Sequence, residues 1–256
     1  MSDISRRSLV TTAGALGAAA LARNANAADG LSPPAHAHEM AQAAPAATAP
    51  PPPITYLFFN EDEAAFLESA VGRLIPADDR WPGALEAGVT NYIDKQMAGA
   101  WGAGERLYRS GPWQPGTPSQ GYQLPLTPAE LFRTAIDAIG KELTAKGKRF
   151  AAMTAAEQDA FLTELQSSDR DLGGVPAKEF FAQLWQSTQE GFFADPVYGG
   201  NRDMVAWRMI GFPGAYASYY DLVDKHGMKL DRPPMSLAQD VSGHVHVDPN
   251  IAPKIP

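Results

Sequence analysis

Apolar positions in the middle of the chain recur at intervals of three and four, the spacing of a single helix face. From Asn60 to Pro76, Phe66-Leu67, Ala70-Val71 and Leu74-Ile75 repeat every fourth residue. Asn60 suits an N-cap, Glu63 stands three residues later, and Pro76 ends the pattern. A second helix is predicted from Ala84 to about Met97, burying Leu85, Val89, Tyr92-Ile93 and Met97. Thr127-Pro128-Ala129-Glu130 starts a third, with Leu131-Phe132, Ala135-Ile136, Ile139 and Leu143 inward. Thr154-Ala155-Ala156-Glu157 opens another over Phe161-Leu162 and Leu165, and Pro176 begins one carrying Phe180-Phe181, Leu184-Trp185 and Thr188. Beyond Pro213-Gly214, Tyr216, Tyr219-Tyr220 and Val223 mark a last helix ended by His226-Gly227. No stretch alternates in the manner of a strand. The expected fold class is all-α, an irregular multi-helix domain with long loops rich in Gly, Pro and aromatics and an extended arm at each end.

The unpatterned segments divide the chain. Ser5-Arg6-Arg7-Ser8-Leu9-Val10, a small-residue apolar run from Leu9 to Leu21 and Ala25-Asn26-Ala27 read as a twin-arginine export signal over residues 1–27. Arg6 and Arg7 are the recognition pair, and the expected destination is the periplasm. Residues 28–53 form a Pro/Ala-rich linker ending in four prolines, which favours polyproline II and builds no core. The helical domain is expected over 54–230. Residues 231–256 carry five prolines and no period, and are expected to be an arm that docks on a partner. His244 and His246 would share a side of that arm if it is extended, but a third metal ligand is not identifiable.

Composition narrows the chemistry. The 256 residues carry a formal charge of -8, against the basic footprint that nucleic-acid binding requires. Cleavage after Ala27 would remove three arginines and one aspartate, leaving the remainder two charges more negative. There is no cysteine, so disulfides, thiolate iron–sulfur ligation and haem attachment through Cys-x-x-Cys-His are excluded. No run of 18 apolar residues follows the signal, and no transmembrane span is expected there. Gly99, Gly102 and Gly104 have the wrong order for a dinucleotide fingerprint and follow no strand. Asp78 and Asp79 are adjacent carboxylates, better suited to a helix-capping turn than to acid–base work. His226 is expected at a helix C-terminus, as a cation there rather than a base.

Glycines, aromatics and paired charges are densest from Glu190 to Gly214. Asp195-Pro196 forces an extended or turn geometry on what precedes the proline, and Gly199-Gly200 permits positive φ, a sharp turn or close approach of another chain. Met204, Trp207 and Gly211 fall on one face of a short helix. The stretch reads either as a rigid structural loop or as a contact surface of the Tyr/Trp/Arg type used by interface hot spots. Asp195, Tyr198, Gly199, Gly200, Asn201 and Trp207 are its candidate interface residues. Trp113, in the aromatic loop between Gly99 and Leu124, is a further one.

Gly191-Phe192-Phe193, Asp195-Pro196-Val197-Tyr198-Gly199-Gly200-Asn201, Trp207 and Gly211-Phe212-Pro213-Gly214 resemble the small subunit of membrane-bound gluconate 2-dehydrogenase, the subunit 3 family. Ile75-Pro76-Ala77-Asp78-Asp79 and Pro82-Gly83-Ala84-Leu85-Glu86-Ala87-Gly88-Val89 extend the resemblance over roughly Thr55 to Leu237. The resemblance implies a non-catalytic accessory subunit with no cofactor of its own. It implies two partners, an FAD-dependent dehydrogenase large subunit that oxidises a sugar or sugar acid and a membrane-anchored cytochrome c subunit with haem c. Folded export by the twin-arginine route fits a chain that travels with a cofactor-bearing partner. Two other readings remain at this stage, a self-sufficient sugar-acting enzyme built around Tyr198, Asn201, Arg202 and Asp203, and a solitary binding protein.

Overall fold

Three helices begin with the same local device. The computed structural model describes residues 55–237 except 106, 115, 118, 119, 216–219, 229 and 231. The export segment with Arg6 and Arg7, the linker 28–53 and the His244/His246 pair lie outside the described residues. Among those described there are six α-helices and no strand, so the fold is all-α. In chain order they are α1 (Glu61–Leu74), α2 (Val89–Ala98), α3 (Pro128–Ala145), α4 (Ala155–Ser167), α5 (Ala177–Phe193) and α6 (Val205–Ile210).

α1, α3 and α4 each start with a reciprocal capping box, Asn60 with Glu63, Thr127 with Glu130 and Thr154 with Glu157. In each, the cap side chain accepts the N–H of the third helical residue, whose carboxylate accepts the N–H of the cap. Two donors that the helix cannot satisfy are thereby paired. These bonds hold Glu157 at about 2, chiefly through the backbone N–H of Thr154 and then through Lys148, and they lower Glu130 in the same way.

α1 packs against α2, α3, α4 and α5. Its buried face of Phe66, Leu67, Ala70 and Val71 is the one the four-residue repeat predicts. Phenylalanines from several elements meet there: Phe132 lies 5.6 Å from Phe180, Phe66 6.2 Å from Phe180 and Phe150 4.8 Å from Phe66, centroid to centroid. Tilted and edge-on rings at these separations are favourable geometries.

The entry of the chain into the core is fixed by a residue that sequence patterning passes over. Asp94, on α2, is fully buried, and its carboxylate accepts the N–H groups of Leu57 at 2.7 Å, Phe58 at 2.9 Å and Phe59 at 3.0 Å. Arg133 of α3 closes the same corner. It donates to the Phe58 carbonyl at 2.7 Å, pairs with Glu63 at 3.3 Å and lies 4.2 Å over the Phe58 ring.

Several expectations are corrected. The second helix begins at Val89, not Ala84. Ala84–Gly88 is a turn tied back by Ala84 N–H to the Ile75 carbonyl at 2.8 Å, and Gly88 adopts a left-handed φ of 76° that a continuous helix cannot contain. Leu85, expected in the core, is 43 % exposed. Asp78 caps no helix. It accepts the N–H groups of Arg80 and Trp81 within a surface turn. In the expected last helix, the described residues give a single 3-10 turn at Tyr220–Leu222, with Tyr220 and Val223 exposed and His226 exposed in a turn. Of the segment expected as a C-terminal arm, residues 232–237 are described, and Met235 there is bridged to Gly214, which leaves the expected docking on a partner open.

Two consequences are measurable. Asp94→Ala removes the one acceptor shared by three backbone N–H groups, that of Phe59 buried and those of Leu57 and Phe58 part-buried, which costs about 3 kcal/mol. For a domain of this size that lowers the melting temperature by about 10 °C, read by circular dichroism; an unchanged melt would show that the entry segment does not depend on this carboxylate. Glu157, with a folded pKa below its ordinary 4.5, contributes stability above that value and loses it as pH falls towards about 2. The melting-temperature difference between wild type and Glu157→Gln should therefore shrink as pH is lowered through this window, and a constant difference would contradict it.

Candidate partner-binding surface

The segment after α5 reverses without a sheet or a long helix to satisfy its backbone. Side chains supply the missing bonds. Asn201, completely buried, donates its amide N–H to the Ala194 carbonyl at 2.8 Å and accepts the Ala206 N–H at 2.9 Å. Asn91, reaching from α2, donates to the Gly199 carbonyl at 2.9 Å, and Arg202 N–H donates to the Ala87 carbonyl at 2.9 Å. The loop is thus fastened to α2 and to the turn before it as well as to itself.

This anchorage holds an unusual backbone. Asn201, Asp203 and Met204 have φ of 45°, 57° and 54°, a left-handed conformation uncommon for non-glycine residues. Each costs on the order of 1–3 kcal/mol and persists only where the surroundings over-determine it. Gly199 has the positive φ expected of it, at 96°. Gly200 serves close approach instead, against the chain's own α5. A Cβ there would lie 2.1 Å from the Gly191 carbonyl oxygen.

Trp207 is the hub of what lies above. It is 6 % exposed and donates its indole N–H to the Phe193 carbonyl at 2.8 Å. The Phe212 ring stands edge-on to it at 5.1 Å. Around this buried indole, Phe193, Ile210 and Phe212 remain 40 %, 58 % and 45 % exposed. Ile210 stands three residues beyond Trp207 in α6, on the same side of the helix. Asp195 caps the 3-10 turn Pro196–Tyr198 by accepting the Val197 N–H at 3.0 Å, and this turn presents Tyr198, which is 53 % exposed. Beneath it, Tyr92 is pushed up to about 12 by burial and then by Glu190 and Tyr198 nearby, so its phenol stays neutral.

The candidate residues therefore divide. Tyr198 reaches the surface and Asp195 is half-buried, whereas Gly199, Gly200, Asn201 and Trp207 are buried and shape the surface from below. Trp113 is half-buried in the irregular segment between α2 and α3. The amide of Asn201 is engaged at both ends by backbone, which is a structural use of the side chain. Phe193, Ile210 and Phe212 are surface residues that sequence patterning misses, and only their bulk beside Gly and Pro hints at it. Among the described residues, no three His, Cys, Asp or Glu lie together in a metal-holding group, and no helix is long and apolar enough to cross a membrane.

The profile described as gluconate 2-dehydrogenase subunit 3 matches residues 61–214, more than half of the chain. The chain belongs to the gluconate 2-dehydrogenase subunit 3 family. The match takes in all six helices and closes at Gly214, so the fastened loop and its apolar face lie within the part shared with the subunit 3 family. Comparisons with curated proteins and with solved structures returned no match.

The two glycine environments give opposite expectations. Gly200→Ala must displace the Gly191 backbone or its own, at about 1–3 kcal/mol. Gly140→Ala, in the middle of α3 with open space around its Cβ, should stabilise by about 0.5–1 kcal/mol. Denaturant titrations of the two variants measure both signs.

Proposed function

We propose that this chain is a non-catalytic small subunit of a periplasm-facing, FAD-dependent gluconate 2-dehydrogenase-like complex acting on a sugar or sugar acid. In this reading it supports the folding, export and assembly of the flavin-bearing large subunit. A membrane-anchored cytochrome c subunit carries the electrons onward. FAD and haem c belong to those partners. Membership of the subunit 3 family supports a role within such a complex.

The observation that carries the reading is the division of labour at the fastened loop. Its buried polar side chains are engaged in holding backbone, while Phe193, Tyr198, Ile210 and Phe212 are large apolar or aromatic side chains offered to solvent alongside the exposed Asp203. An exposed cluster of this kind suits association with another protein. The absence of cysteine removes thiolate ligation and covalent haem from this chain's own repertoire. The Arg6-Arg7 pair supports export in the folded state, as a subunit accompanying a cofactor-loaded partner would need.

Purification of the chain alone and together with its flavin-bearing partner tests this. The isolated chain should lack flavin absorbance and reduce no dye with gluconate, and the co-expressed pair should purify together and do both. Flavin bound stoichiometrically to the isolated chain would overturn the assignment. Lysine at both positions 6 and 7 should leave the pair in the cytoplasm, and undiminished periplasmic activity would rule out export through this signal. Tyr198→Ala should weaken the association by roughly 2 kcal/mol and shift the isolated chain's melt little, because its ring is half exposed.

A further inference from the structure

The first residues of the C-terminal arm lie against the same buried tryptophan. Ala215 N–H donates to the Met235 carbonyl at 2.7 Å, and Met235 N–H donates to the Pro213 carbonyl at 3.1 Å, forming an isolated parallel bridge between Gly214 and Met235. Gly214 makes this approach possible. A Cβ there would sit 2.0 Å from the Met235 carbonyl oxygen and 2.8 Å from Cζ3 of Trp207. One step further, Leu237 N–H donates to Oδ2 of Asp195 at 2.9 Å. Ser236 is 5 % exposed and Leu237 62 %, the in-and-out alternation of an extended segment lying on a surface.

Asp195 thus serves two segments at once. Its Oδ1 caps the turn that presents Tyr198, and its Oδ2 holds the backbone of Leu237. A single carboxylate sets the positions of two exposed apolar side chains that are 39 residues apart in sequence. We infer that the partner-binding surface is composite: Met235–Leu237, clamped by Asp195 and Gly214, form one flank of the face made by Phe193, Tyr198, Ile210 and Phe212, and the flavin-bearing subunit binds both together. The inference rests on the proposed function. That reading needs another chain to cover apolar side chains, and a family defined as one subunit of a dehydrogenase supplies it. Met235–Leu237 lie beyond the matched residues 61–214, whereas the other flank lies within them.

The full-length chain, co-expressed with its flavin-bearing subunit, is compared with Leu237→Ser, Asp195→Ala, a chain ended after Pro234 and a chain ended after Leu237. Ending after Leu237 should leave affinity for the flavoprotein within about twofold of the full-length chain. Ending after Pro234, Asp195→Ala and Leu237→Ser should each weaken binding by about tenfold or more. Because Leu237 projects into solvent, Leu237→Ser should keep the wild-type melting temperature, which separates a lost contact from a lost fold. Undiminished binding by the chain ended after Pro234 would overturn the inference and leave the proposed function standing. Loss of binding on ending after Leu237 would overturn it by moving the flank into later residues. Self-association of the isolated chain, measured by sedimentation and abolished by Leu237→Ser, would assign the face to a second copy instead. A full-length chain that does not bind the flavoprotein at all would overturn the proposed function together with this inference.

Discussion

The buried amide of Asn201 is the interaction on which the rest of the surface depends. Between Ala194 and Ala206 the chain reverses in a space that offers neither a helical ladder nor a neighbouring strand, and buried backbone groups without partners are costly. One side chain bridges the two ends of the reversal, to Ala194 on one side and Ala206 on the other. With that bridge in place, three left-handed residues can follow one another closely. α6 then starts at the angle that brings Trp207 under Phe193. Remove the bridge and the strain at Asp203 and Met204 has little to oppose it.

Much of the fold is legible in the sequence because it rests on short-range chemistry. A cap and a carboxylate three residues on, followed by a four-residue apolar repeat, describe α1, α3 and α4 from residue order alone, and the residues involved are those that pair. Ala84–Gly88 misleads because Ala-Leu-Glu-Ala is a good helical composition, while the bond that prevents a helix comes from Ile75. Asp94 is hidden for a similar reason. A lone aspartate on a helix looks solvated, and its three partners lie 35 to 37 residues earlier.

The stretch from Glu190 to Gly214 stands out in the sequence as the densest run of Gly, aromatics and charge, but which of its side chains are buried and which exposed is less legible. Trp207 has the side chain of a hot-spot anchor, yet an indole N–H within reach of a carbonyl 14 residues away can be buried without penalty, and it is. Phe193 and Phe212 stay 40 % and 45 % exposed beside that indole, one giving it a carbonyl and the other an edge-on ring. Hydrophobicity alone does not rank which of these aromatic side chains is buried and which is exposed.

The reach of each contact also orders events in time. A capping box joins residues three apart and can close as soon as a few turns of chain exist. The Asp94 cradle waits for some 36 residues, and the clasp between Asp195 and Leu237 spans 42. On a ribosome, then, the helical body can be compact while the apolar face still lacks its second edge. The face is complete only once Leu237 has been added, so a copy still shorter than that lacks the contact to Asp195.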